Sequence, residues 1–176
     1  MSFKNSFIVF ATLPGAIEHV IPDQVDGRQR LSETVERSED SGRAISQTTI
    51  SLEDIPNHDL NLLEVRGVQK TSNDNWKDAK ITYWGTADLI GGSGTQRGYF
   101  VDVHANGDRD IGTFEGKVKT AGGQVTIEGT WKYSDGTGQF KGLTGGGTYK
   151  GRMTSPTEVE NTWEGTYQLA AKARVA

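Results

Sequence analysis

The side chains able to do chemistry in this chain are few, and they stand on segments whose apolar residues alternate. In NLLEVRGVQK, Leu63, Val65 and Gly67 share one face, and Leu62, Glu64, Arg66 and Val68 share the other. Period-two alternation marks a strand and leaves Glu64 two readings. Turned inward beside Arg66, it is an acid–base partner for a buried tyrosine; turned outward, it is half of a surface ion pair worth under about 1 kcal/mol. The Leu63–Val65 face favours the surface pair, yet Glu64 is the best carboxylate candidate for catalysis. In GYFVDVHA, Asp102 and His104 share a face, two residues apart, where a carboxylate could orient an imidazole for proton transfer. The opposite face carries Val101 and Val103 and reads as the buried one, which turns Asp102 and His104 to solvent. The catalytic candidates are therefore Glu64, Tyr83, Tyr133 and His104.

Other chemistries are excluded by type and spacing. The chain has no cysteine, so disulfides, thiol nucleophiles and cysteinyl metal sites are out. His19, His58 and His104 lack metal-ligand spacing, so no metal and no organic cofactor is expected. GGSGTQRG and TGGGTYKG lie between strands, without the helix N-terminus that a phosphate cradle needs. A net charge of −4 with interleaved signs gives no basic footprint, so nucleic acid is not an expected partner. No stretch reaches the roughly 20 apolar residues of a spanning helix, and no membrane partner is expected. FIVFATLPGA at 7–16 reads as a buried strand or docking segment rather than a signal peptide, which points to a cytoplasmic protein.

The elements that must position these residues are strands. GQVTIEGTWKY puts Val125, Ile127, Gly129, Trp131 and Tyr133 on one face, and EVENTWEGTYQL does the same with Val159, Asn161, Trp163, Gly165, Tyr167 and Leu169. AKITYWGTADL and IGTFEGKV follow suit, with Tyr83, Gly85 and Ala87 in one and Gly112, Phe114 and Gly116 in the other. The turns between them (GGSGTQ, HANGDRD, TAGGQ, YSDGTG and TSPTE) are hairpin signals. Two earlier strands, near 44–53 and 61–69, complete a meander, and closure removes its edges. The fold class is all-β, a closed antiparallel barrel of roughly eight strands over 44–176. Residues 1–43 form an N-terminal extension whose charged part, 23–43, is a solvated connector or a short helix capped by Ser32.

The segment YSDGTGQFKGLTGGGTYKGRMTSPTEVENTWEGTYQL is more specific than alternation. Its Thr144-Gly145-Gly146-Gly147-Thr148-Tyr149-Lys150-Gly151 stretch between two strands resembles the allene oxide cyclase-like barrels, distant relatives in architecture of the dirigent proteins, and similar glycine spacing occurs in an uncharacterised bacterial branch. The resemblance covers about 79–169. It implies an apolar cavity and allows isomerase, cyclase or lyase chemistry.

A small barrel offers its mouth and lumen as a site. Phe114, Trp131, Tyr149, Met153, Asn161, Trp163 and Tyr167 are the substrate-binding candidates, and the partner expected is a hydrophobic or aromatic small molecule. A homo-oligomer is allowed. Three readings stay open at this point: a cofactor-independent enzyme, a lipocalin-like carrier, and a barrel filled by its own rings. Rings mixed with glycines on one face suit a lumen with room for a flat guest.

Overall fold

The computed structural model describes residues 34–170, with side chains from residue 39 onward. The segment 7–16 and residues 23–33 of the connector lie outside them. Eight antiparallel strands close into one barrel in chain order: β1 (Thr34–Leu52), β2 (His58–Lys70), β3 (Lys80–Ile90), β4 (Ser93–Val103), β5 (Arg109–Ala121), β6 (Gln124–Gly136), β7 (Thr144–Ser155) and β8 (Glu158–Gln168). The seam pairs β1 with β8, Thr34 opposite Tyr167 and Arg43 opposite Glu158.

Two expectations about element boundaries need correction. Residues 34–43 are not connector; they are the first half of β1 and hold the seam. The polar run ERSEDSGR hides a strand because its inward positions, Asp40 and Gly42, are not apolar, although both are buried. YSDGTG is not a tight hairpin either. β6 runs on to Gly136, and a 3-10 turn, η1 (Gly138–Phe140), sets Phe140 against the barrel end.

The barrel's two ends differ. At one, β3–β4 and β5–β6 turn on glycine pairs at positive φ, Gly91–Gly92 and Gly122–Gly123, the geometry of two-residue hairpins. The other is closed by residues 71–79 and 137–143, which bring Trp76, Phe140 and Leu143 onto Tyr167. Between the ends runs a second cluster of Val65, Ile81, Tyr83, Phe100, Trp131, Tyr149, Val159 and Trp163, with Leu63, Phe114, Tyr133 and Met153 packed against it.

Lumenal glycines and rings are complementary. A Cβ on Gly112 would enter the ring of Phe100, one on Gly116 would meet the Tyr149 hydroxyl at 2.5 Å, and one on Gly165 would meet Trp131 Cζ2 at 2.6 Å. Each glycine is the seat of a ring from another strand, so in this state the protein's own aromatics occupy the space expected for a flat guest. A void of about 20 Å³ remains beside Gln69, Trp76, Phe100, Asp102, Tyr133 and Trp163, enough for one water. A far larger concavity, about 1200 Å³, lies on the outer face. Its walls are two rows of outward side chains, such as Leu62, Thr86 and Arg97 against Leu60, Asp88 and Thr95. Among the described residues, no helix is long and apolar enough to cross a membrane.

Candidate functional site

Strand parity decides which carboxyls reach the lumen. Tyr83 pairs with Phe100, and Gly85 with Gly98; counting by twos along β4 from these inward residues puts Asp102 and His104 inward as well. Both are buried, at 1% and 8% exposure, against the expectation that the valine face is the inner one. Val101 and Val103 are only half-buried on the outer wall. The missed signal is Gly98: in the other strands the glycines marked the inner face, and Gly98 shares parity with Asp102.

Glu64 goes the other way. It lies on the outer face, where Arg66 Nε donates to Glu64 Oε1 at 2.7 Å, with Arg66 itself 63% exposed. The structure therefore does not bring Glu64 to a lumenal tyrosine. Asp40, on the stretch expected to be connector, fills that position.

Asp40 projects from β1 into the centre of the barrel. Asn161 Nδ2 donates to its Oδ1 at 3.1 Å, and Tyr83 Oη and Trp163 Nε1 both donate to its Oδ2. Burial pushes its carboxyl up to about 6, against the three donors that pull it down. The Tyr83 phenol is held well above its ordinary value by burial and by the Asp40 charge. A carboxyl that titrates near neutrality, bonded to a phenol, can take up and return a proton.

A second centre stands nearer the closed end. Asp102 and Asp110 oppose each other across β4 and β5 and share a hydrogen bond. His104 Nε2 lies 2.7 Å from Asp110 Oδ2, and Trp76 Nε1 donates to the same oxygen at 2.9 Å. Gln69 Nε2 reaches both oxygens of Asp102 at 3.4 Å. Desolvation raises both carboxyls and lowers the imidazole, so each member is pushed toward its neutral form. Asp110 Oδ1 is buried with no N–H or O–H donor on it, which leaves it to a protonated neighbour. The His104 ring also donates to the Asn75 backbone carbonyl.

The remaining candidates distribute as follows. Phe114, Trp131, Tyr149 and Trp163 interlock in the lumen: Tyr149 lies 5.3 Å from Trp163 and 6.1 Å from Phe114 between centroids, and its hydroxyl accepts from Gln96 Nε2 at 2.8 Å. Met153 packs against the same cluster, Asn161 joins the Asp40 centre, and Tyr133 and Tyr167 surround Trp76. Among the described residues no group of three His, Asp or Glu is arranged to hold a metal.

Fold and site together define a closed eight-stranded antiparallel barrel with two buried carboxyl centres in an aromatic lumen. No family model and no curated protein matches the sequence. Among solved structures the chain is similar to the pterocarpan synthase dirigent protein GePTS1, with 9% identity and a TM-score of 0.48 over 84% of this chain and 92% of that one.

Proposed function

We propose that this barrel binds a hydrophobic or aromatic small molecule and moves a proton on it at the Asp40–Tyr83 pair, without a cofactor, in an isomerisation, cyclisation or elimination. One observation carries the reading: a buried carboxyl, pushed up to about 6, is bonded to a phenol and an indole in an otherwise aromatic lumen. A merely filled barrel is more stable with apolar residues at such a position, because burying a carboxyl costs several kcal/mol before its hydrogen bonds are counted. Functional sites are where such perturbed groups collect. The resemblance of Thr144–Gly151 to allene oxide cyclase-like barrels points the same way. Asp40 would act as the base in its ionised form, with Tyr83 relaying or stabilising the developing charge.

The test has two parts. The small molecules that leave the purified protein on denaturation are identified by mass spectrometry, and the compound found is incubated with fresh protein in D2O. Wild type should exchange a carbon-bound proton of that compound, and Asp40→Asn should bind it without exchange. A compound that binds with equal, unchanging deuterium content in both proteins leaves a carrier and sinks the enzyme. The absence of any bound compound sinks the small-molecule reading itself.

A further inference from the structure

Trp76 closes one end of the barrel from a seat that the barrel builds. Its indole stacks on Tyr133 with centroids 6.0 Å apart and 29° between planes, and meets Tyr167 edge-on at 4.7 Å and Phe140 at 5.2 Å. Its one polar atom, Nε1, donates to Asp110. Tyr133, Asp110 and Tyr167 are strand residues. The ring is thus held like a ligand, with aromatic walls for its plane and an acceptor for its single donor.

The segment that carries the indole folds largely on itself. TSNDNWKDA, 71–79, is polar, and Trp76 and Ala79 are its buried residues. Its backbone bonds run mostly within itself: Trp76 N and Lys77 N donate to Asn73 O, and Ala79 N donates to Trp76 O. Besides the indole, it meets the barrel through Asn73 and Asn75, which reach the Tyr167 hydroxyl at 3.2 and 3.4 Å, long bonds that water can replace, through the Asn75 carbonyl on His104, and through Ala79 O, which accepts from Gln69 N at 2.9 Å. Beneath the indole lie the small void and then Phe100, Trp131 and Trp163. A plug needs only an apolar floor. Here the floor holds Asp110, fully buried, with Asp102 and His104 behind it.

We propose that the closed end is a binding seat for a planar aromatic or heteroaromatic molecule with one hydrogen-bond donor, occupied in this state by Trp76 from within the chain. The guest displaces the indole, lies on Tyr133, and gives its N–H or O–H to Asp110 Oδ2. This names the ligand class and the way into the lumen; it rests on reading that lumen as a small-molecule chamber, and needs no chemistry at Asp40.

Full-length protein labelled with 5-fluorotryptophan, the Trp76 resonance assigned from Trp76→Phe, is titrated with indole and with 1-methylindole. In wild type, indole should move the Trp76 resonance saturably to the position of free, solvated fluorotryptophan. 1-Methylindole, which lacks the donor, should bind at least about tenfold more weakly, as a site built around a hydrogen bond rejects an analogue without it. Trp76→Gly, which removes the internal competitor, should bind indole more tightly than wild type. A Trp76 resonance unmoved up to the solubility limit of indole, while Trp76→Gly binds it, would make Trp76 a core residue and overturn the proposal. Equal binding of the two probes would overturn the role given to Asp110. Deuterium exchange at Asp40 with the Trp76 resonance unmoved would also refute the seat while leaving the proton chemistry standing.

Discussion

Tyr83 and Trp163 stack with ring centroids 5.7 Å apart and 9° between planes, and their polar tips converge on the same oxygen of Asp40. Stacking sets the two donors side by side, so one carboxylate oxygen can accept from both. The aromatic core and the carboxyl centre are therefore one structure, and a change in either is felt by the other.

The first prediction concerns pH. Asp40 has a folded value of about 6 against an ordinary 3.8. A group raised on folding contributes stability that is fully present below 3.8 and lost as pH rises through 6. Between those limits wild type should lose on the order of 3 kcal/mol, at about 1.4 kcal/mol per pH unit. Urea melts of Asp40→Asn from pH 4 to 7 should lack that component. A wild-type profile identical in shape to that of Asp40→Asn would refute the raised value.

A second concerns the ring seats. Gly112→Ala drives a methyl group into Phe100 and should cost about 1–3 kcal/mol as overpacking. Phe100→Leu in the same chain should recover part of that loss. Additive effects in the double-mutant cycle would show that Gly112 is required for its backbone alone.

A third separates Glu64 from the lumen. Glu64→Gln breaks an ion pair to a largely exposed Arg66 and should change stability by less than about 1 kcal/mol. It should leave the carboxyl titration of Asp40, followed by carbon NMR, where it was. Movement of that titration would place Glu64 nearer the centre than the outer wall.

The fourth lies at the hairpin end. His58 Nδ1 is 2.8 Å from Asp54 and its Nε2 is 2.7 Å from Asp88, a clip between the β1–β2 turn and β3. Hydrogen bonds to Asp88 and then Asp54 raise the imidazole above 6.5. The clip is therefore fully formed below 6.5 and is lost as pH rises through the higher folded value. Proton NMR should find His58 titrating above the ordinary value, and Asp88→Asn should bring it down. An ordinary titration in wild type would count against the clip.

The barrel was legible because period-two alternation survives at Val125–Tyr133 and Val159–Leu169, where a ring or a β-branched residue marks every second inward position. The centres were less so. Asp40 acquires its meaning from Tyr83, Asn161 and Trp163, far away in sequence, and nothing adjacent to it distinguishes it from Glu39. Asp102 reads as outward because a pair of valines outweighs one glycine in a local window, whereas parity is set by the pairing of β4 with β3. Inward parity marks Tyr83, Asn161 and Trp163 as site residues, and they meet at one carboxyl, Asp40, that parity on a polar stretch does not reveal.

The seam of β1 and β8 has a consequence for how the chain assembles. Seven of the eight pairings join neighbours in sequence and need only short loops to close; the eighth brings Thr34–Arg43 to Glu158–Tyr167. Such long-range pairing carries the largest loop-closure cost and waits for the rest. Asp40 belongs to the seam, reaching Asn161 and Trp163 on the strand made last. Its bonds then form after the rate-limiting step, so weakening them should quicken unfolding and leave the folding rate nearly unchanged. The residue given the proton chemistry is also the clasp that fixes how long a folded barrel stays shut.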